Sequence, residues 1–470
     1  MKWQRSRGRA VPAGAAAMGM AVAAICAVVA LPGQAVAADG EPSPYVFDPG
    51  ARQIEGATTP GGAESLAAGA TYRDSIEPGG KLIYRLDLDA RTNAYVSAVA
   101  VPSLGTTVAY GDRIKVSVQD QQGRDCSSND AQFGSSGRFP RPLAAYAYRM
   151  IEQGAHACQE AGPYYAVIER TSDDTSSPEP WELEIHHVAE PGLTAAGPSE
   201  APSGWPSASP APAGGTARAR EGGTGFNDAE DLTDGAWTAS IEPGETLFYR
   251  VPVDWGQQLF ATAGLGTTPG RGFVSGALAM SLYNPARGLV DSAGSMSYSG
   301  KEKTTAFDAL PPVAYENRFG SRSGDKEMRF AGWYYLKVSL NPQVGEEFGS
   351  SPYGLTMRVD VEGEARQGPG YDGPAGDFTV AGGGTDGTDE PGGTTSDSTT
   401  MAVVAAGGIG AGTALVLGLG VWTLVARRRG RRSQGPGQGT GAVAGPGSGP
   451  GTETGTGTAE TQSYGPPSAW

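Results

Sequence analysis

The chain has 470 residues, with 35 Lys and Arg against 50 Asp and Glu, a formal net charge of -15. It holds 73 Gly and 35 Pro, and 39% of it is hydrophobic. That Gly and Pro content is too high for one uninterrupted domain, yet the strand-like blocks are too many for a disordered chain. The acidic balance argues against nucleic acid as a partner, because phosphate binding needs concentrated Lys and Arg.

The N-terminus opens with Lys2, Arg5, Arg7 and Arg9. An apolar run follows from Val11 to Leu31, then the small-residue stretch Ala35-Val36-Ala37. Charge, apolar run and small cleavage site make residues 1–37 a secretory signal peptide.

The first folded unit is expected over 51–190. Leu82, Tyr84, Leu86 and Leu88 alternate with polar residues, as do Ile114, Val116 and Val118, and then Trp181, Leu183 and Ile185. Period-2 alternation predicts strands with one buried and one wet face, the pattern of antiparallel sheets. Turn residues such as Glu77-Pro78-Gly79 separate the runs. Cys126 and Cys158 are the two cysteines left after signal removal, and an even pair in an exported chain predicts a disulfide. The three histidines are His156, in a loop, and His186 and His187, at the end of an expected edge strand. They read as surface histidines rather than a triad base or a zinc site, since no Gly-x-Ser-x-Gly or His-Glu-x-x-His pattern accompanies them.

Residues 191–224 are rich in Pro, Ser, Ala and Gly and lack apolar periodicity. They predict an extended, flexible linker. A second unit, 225–365, repeats the first. SIEPGGKLIYRLDLD at 75–89 and SIEPGETLFYRVPVD at 240–254 share nine of fifteen positions without a gap. Gly162-Pro163-Tyr164-Tyr165 is matched by Gly332-Trp333-Tyr334-Tyr335, and Trp181 to Ile185 by Tyr353 to Met357. Three blocks in one order mean a duplication. Tyr84 and Tyr249 then hold the same inward position. The predicted fold is all-β: two tandem antiparallel β-sandwiches, jelly-roll-like, followed by one transmembrane helix.

Residues 366–400, rich in Gly, Thr and Asp, predict a disordered stalk. Met401 to Ala426 carry no charge and are long enough to span a bilayer of about 30 Å. Arg427, Arg428, Arg429, Arg431 and Arg432 follow, which makes that end cytoplasmic and the chain a type I single-pass protein. Gly408 and Gly412 form a GxxxG pair suited to homodimer packing within the membrane. The 427–470 tail has almost no apolar content and is expected to be disordered.

The strand patterns Leu247-Phe248-Tyr249-Arg250-Val251, Leu282-Tyr283-Asn284-Pro285, Gly332-Trp333-Tyr334-Tyr335-Leu336 and Tyr353-Gly354-Leu355-Thr356 resemble the bacterial pre-peptidase C-terminal domain. That resemblance covers both units and implies a non-catalytic β-sandwich appendage that assists secretion or binds polymer or matrix. Both units are longer than that family's domains, in the 121–160 and 286–330 segments.

Two groups of residues are candidate sites. Asp228, Glu230, Asp231 and Asp234 cluster ahead of the second SIEPG block, where hard carboxylates suit Ca²⁺, although the spacing is not that of an EF-hand. A solvated acidic loop is the plainer reading, and no cofactor is required. Tyr165, Trp333 and Tyr335 are candidates for an aromatic ligand platform, against the plainer reading that one tyrosine of each pair, Tyr164/Tyr165 and Tyr334/Tyr335, is core and the other flanks it. The resulting expectation is a cell-membrane protein with an extracellular, non-catalytic ectodomain that binds cell-wall polymer or a surface protein. The alternative is an accessory subunit of a membrane or secretion complex. A hydrolase ranks last, because no nucleophile–base pair is visible.

Overall fold

The computed structural model describes residues 42–380, apart from 135–136, 153, 196 and 211–215. The signal peptide, the 401–426 span, its GxxxG pair, the arginines after it and the tail lie outside the described residues. No helix among the described residues is long and apolar enough to cross a membrane.

The first sandwich is built from β1 (Arg52–Gln53), β2 (Ala70–Ile76), β3 (Lys81–Leu88), β4 (Asn93–Val101), β5 (Arg113–Gln119), β6 (Asp125–Gln132), β7 (Leu143–Arg149), β8 (Gly162–Thr171) and β9 (Trp181–Glu190). One of its sheets runs β1-β2-β9-β4-β7 and the other β3-β8-β5-β6. The second is built from β10 (Arg218–Ala219), β11 (Glu230–Asp231), β12 (Gly235–Ile241), β13 (Thr246–Val253), β14 (Gln258–Leu265), β15 (Val274–Tyr283), β16 (Leu289–Tyr298), β17 (Lys303–Ala306), β18 (Gly332–Leu340) and β19 (Tyr353–Glu362). Its sheets run β10-β12-β19-β14-β17 and β11-β13-β18-β15-β16. Two short helices, α1 (Ser323–Glu327) and α2 (Gln343–Phe348), flank β18 in sequence.

The duplication is visible strand by strand. Each strand from β2 to β9 has its counterpart ten places on, in the same sheet order. Leu82 pairs with Ile168 and Tyr84 with Ala166, while Leu247 pairs with Val338 and Tyr249 with Leu336. The shared Glu-Pro-Gly turn explains why register is kept. Pro sets the first central position and Gly takes the positive φ of the second, at 71° for Gly79 and 89° for Gly244. Gly80 N then donates to Glu77 O, and Glu245 N to Glu242 O.

Each sandwich has its own core. Tyr84, Leu86, Ile114, Val116, Leu183 and Ile185 pack in the first, with Tyr164. Tyr249, Val251, Leu278, Met280, Leu336 and Met357 pack in the second, with Tyr334. Cys126 and Cys158 form the expected disulfide, with Cα atoms 5.8 Å apart, tying β6 to the loop before β8. Closing that loop is worth roughly 3–4 kcal/mol in the chain-entropy model.

The expectation of one wet face per sheet fails at the joint between the sandwiches. Every residue of β4 except Val101 is buried. Val96, Ala98 and Ala100 face the first core, while Tyr95 and Val99 pack in clusters that include Phe330, Phe248 and Tyr283 of the second sandwich. The outer faces of two sheets are thus pressed together, and both sandwiches belong to one compact unit.

Two segments expected to be loose are packed. In the 191–224 linker, Thr194 N donates to Gly370 O, Pro206 O accepts from Gln258, and β10 pairs in parallel with β12. In the expected 366–400 stalk, residues 366–380 fold back as a strap. Leu193 bridges Tyr371, and Phe378 stacks on Phe330 with centroids 4.5 Å apart. Low overall hydrophobicity hides both, because each is held by backbone hydrogen bonds and by one or two aromatic anchors rather than by an apolar face.

Candidate functional site

The densest collection of buried charge lies where the sandwiches meet. β9 carries Leu183 and Ile185 into the first core, so Glu184 must face outward, and the outward face is the joint. Glu184 is fully buried and accepts from Arg287 Nη1 at 2.6 Å, from Tyr45 Oη at 3.1 Å and from Asp48 N at 2.8 Å. Burial pulls the Arg287 guanidinium down, but Glu184 and Tyr45 outweigh this and hold it above the usual arginine range.

Arg287 reaches that position from the turn after β15. Its φ is +60°, in the left-handed region that costs a non-glycine residue about 1–2 kcal/mol. Arg287 N donates to Asn284 O, and Gly288 N donates to Asn284 Oδ1. At Gly288 a Cβ would sit 2.5 Å from Tyr146 Cε1, so only glycine lets the turn lie against that ring.

At the other end of β9, Glu190 is also fully buried. It accepts from Arg318 Nη2 at 2.7 Å, Asn93 Nδ2 at 2.7 Å, Tyr95 Oη at 2.8 Å and Tyr371 Oη at 2.9 Å. Those partners come from the first sandwich, the second and the strap. Burial alone would raise the Glu190 carboxyl, but Arg318 and the donated hydrogen bonds hold it below the usual range.

A third arginine of the second sandwich, Arg329, has no exposed surface and pairs with Glu327 at 3.5 Å. Its Nη2 donates to Tyr146 Oη at 2.8 Å, and Tyr146 donates to Glu327. Tyr148 and Phe330 place their rings 4.8 and 5.1 Å from its guanidinium carbon. Its Nε and Nη1 have no hydrogen-bond partner, so ring quadrupoles supply part of the compensation a buried cation needs.

The residues singled out in the sequence are scattered relative to this cluster. Tyr165 lies on the solvent-side face of β8, across from Arg85 and Gln119. Trp333 is covered by Arg250, whose guanidinium carbon is 4.4 Å from the ring centroid. Tyr335 packs edge-on against Phe226, at 5.1 Å, in a cluster that bridges the sandwiches. Trp333 and Tyr335 share one face of β18 beside Arg250, with Tyr335 also packed on Phe226, whereas Tyr165 lies on β8 of the first sandwich and no contact among the described residues joins it to them.

The proposed calcium ligands are likewise not brought together. Asp228 accepts from Thr224 N and Gly225 N, Glu230 pairs with Arg220 at 3.0 Å, Asp231 pairs with Arg250, and Asp234 accepts from Val361 N at 2.7 Å. No group of three or more His, Cys, Asp or Glu suited to a metal ion occurs among the described residues. Two carboxylates pair with arginines, Asp228 caps its own turn and Asp234 accepts from the β19 backbone, so the cluster in sequence is not a metal-binding cluster in space.

His156 is exposed, as expected. His186 and His187 are not on an edge: β9 pairs with β2 on one side and β4 on the other. His186 Nδ1 lies 3.1 Å from Thr71 Oγ1, and burial, with Arg287 and His187 nearby, pushes its pKa down to about 3. His187 Nδ1 lies 3.0 Å from Leu66 O, and burial lowers it too. Both rings are neutral at pH 7.

Sequence reasoning misses Glu184, Glu190, Arg287, Arg318 and Arg329. A signal is present. It is weak: β9 reads WELEIHHVAE, in which Glu184 between Leu183 and Ile185 alternates like any solvent-facing residue, and only the covering of that face by the second sandwich makes a cation necessary.

No family model matches the chain, and no curated protein matches it. Among solved structures, it is similar to the CUB1-EGF-CUB2 domain of human MASP-1/3, at 6% identity, 62% of this chain, 99% of that one and a TM-score of 0.16. It is also similar to the N-terminal CBM22-1-CBM22-2 tandem domain of Xyn10C from Paenibacillus barcinonensis, at 9% identity, 62% of this chain, 86% of that one and a TM-score of 0.16. A third match is the infectious bursal disease virus Gx strain, at 10% identity, 66% of this chain, 73% of that one and a TM-score of 0.20. Overlaps at these TM-scores carry no information on function.

Proposed function

We propose that the chain is an exported, single-pass, membrane-anchored surface protein. Its two sandwiches form a non-catalytic ectodomain, of the pre-peptidase C-terminal type, that binds cell-wall polymer or matrix. The observation that supports this best is the use made of buried charge. Glu184 and Glu190, the carboxylates closest to an active-site environment, are each neutralised by an arginine from the other sandwich. They weld two binding modules into one body, and both carboxylates are taken up in holding the joint. The Cys126–Cys158 disulfide fits an oxidising, extracellular setting, and the charge-free run before Arg427 supplies the anchor.

The test is retention of the detergent-solubilised full chain on insoluble wall polymer, compared with recovery of protein partners from membrane extract. Retention on polymer is the expected result. Recovery of one stoichiometric protein without polymer retention overturns it in favour of an accessory subunit. Protease added to intact cells should remove epitopes in the sandwiches and spare the tail beyond Arg432, whereas a protected ectodomain overturns the topology.

A further inference from the structure

Linker, strap and second sandwich meet in a groove that none of the sequence candidates touches. Its cavity is about 420 Å³, within the range of about 300–1,000 Å³ usual for small-ligand sites. Trp205 of the linker, Trp255 after β13 and Tyr315 line it, together with Glu316 and Arg366 and a series of prolines. Three anchors hold the walls. Gln258 Nε2 donates to Pro206 O at 2.9 Å and to Leu310 O at 2.7 Å, and Arg366 N donates to Trp255 O at 2.8 Å. The strap passes so close over the indole that a Cβ at Gly368 would lie 2.3 Å from Trp255 Nε1. Tyr315 is fixed by Arg318, whose guanidinium carbon is 3.4 Å from its ring centroid. The groove is therefore preformed, and little ordering is needed on binding.

We propose that this groove is the polymer-binding site, and that it takes a segment of a neutral polysaccharide chain. The assignment rests on the polymer-binding reading above. Trp205 lines the groove and is only half-buried, so part of its indole is accessible to the apolar face of a sugar ring. Neither Glu316 nor Arg366 makes a side-chain hydrogen bond or ion pair among the described residues. One carboxylate and one guanidinium together match hydroxyl groups, which both donate and accept. A proline-rich peptide fits less well. Its carbonyls only accept, and Glu316 would be left without a donor. An anionic polymer is disfavoured by the overall charge of -15.

The experiment is calorimetric titration of the detergent-solubilised full chain with cellohexaose, chitohexaose and decaproline. Saturable binding of a neutral hexasaccharide is expected, without binding of decaproline. Trp205→Ala, a change outside both cores, should weaken it at least about tenfold, the scale of one lost ring contact. Glu316→Gln and Arg366→Ala should each weaken it less, while Tyr110→Ala, at an exposed ring on the first sandwich, should leave it unchanged. Absence of hexasaccharide binding up to millimolar concentration overturns the assignment, as does binding that Trp205→Ala leaves intact or preference for decaproline. Retention on wall polymer separates the two readings. If Trp205→Ala is retained like the parent chain, the groove is wrong but polymer binding stands. If the parent chain itself is not retained, polymer binding fails first.

Discussion

Arg287 of the second sandwich donates to Glu184 of the first at 2.6 Å, with 7% and 0% of their side chains exposed. A pair this deep is costly to break from one side, because the remaining charge stays buried; such truncations cost about 3–5 kcal/mol. Arg287→Ala should lower stability by that order in urea unfolding. Arg287→Gly is the sharper variant, since it also relieves the left-handed backbone at this residue. If Arg287→Gly unfolded at the parent urea concentration, the pair would contribute no more than the about 1–2 kcal/mol of backbone strain that the change relieves.

Gly288 follows Arg287 and lies under the ring of Tyr146. That ring cannot swing aside, because its hydroxyl is held by both Glu327 and Arg329. Gly288→Ala should therefore behave as an overpacked core and cost about 1–3 kcal/mol. An unchanged unfolding midpoint would mean that the turn moves freely over Tyr146.

His186 makes the joint sensitive to acid. Its folded pKa is pushed down to about 3, below the ordinary histidine value of about 6.5. From pH 6.5 down towards 3 the unfolded chain takes up a proton that the folded chain refuses, so stability falls as pH falls through that window. Burial of His187 and the lowered carboxyl of Glu190 act in the same direction. Unfolding free energy measured between pH 7 and 4 should decline, by up to about 1.4 kcal/mol per pH unit for one histidine. His186→Gln should flatten part of that slope. An equal slope in the variant would remove His186 as a cause.

Much of the fold is legible in the sequence, because period-2 alternation reports burial against a sandwich core. Leu82, Tyr84 and Leu86 read correctly, and the duplicated Glu-Pro-Gly turn aligns Tyr84 with Tyr249 from the residues alone. The joint is harder to see. β4 reads as NAYVSAVAV, whose small and polar residues, Asn93 and Ser97 among them, mask a strand buried on both faces. Alternation cannot distinguish a wet outer face from one covered by another sheet. Tyr335 shows the same limit, since this outward aromatic on β18 packs against Phe226 and is only partly exposed. Carboxylates adjacent in sequence, from Asp228 to Asp234, separate because a short strand sends successive side chains to opposite sides.

Tyr84 and Tyr249 show how the duplicates diverge. Both rings are fully buried, but Tyr84 Oη donates to Asp74 Oδ2 at 2.7 Å, whereas Tyr249 Oη has no hydrogen-bond partner. Tyr249→Phe should therefore be neutral or slightly stabilising, while Tyr84→Phe removes a bond to a carboxylate and should cost about 1.5–3 kcal/mol. Tyr249→Ala is the more informative change. Losing a buried aromatic costs about 3–5 kcal/mol, a large share of a domain stability of about 5–15 kcal/mol. A flexible linker alone would confine the damage to the second sandwich. The joint predicts otherwise. Unfolding the second sandwich strips the cover from Tyr95, Val99 and Tyr146 and leaves Glu184 and Glu190 without Arg287 and Arg318. The first sandwich would then hold two unpaired carboxylates on an exposed apolar sheet. Tyr249→Ala should thus give one cooperative transition at lower denaturant, with both halves becoming protease-sensitive together. A protease-resistant fragment spanning about 51–190, recovered from this variant with its disulfide intact, would show that the first sandwich stands without its partner and that the joint adds little.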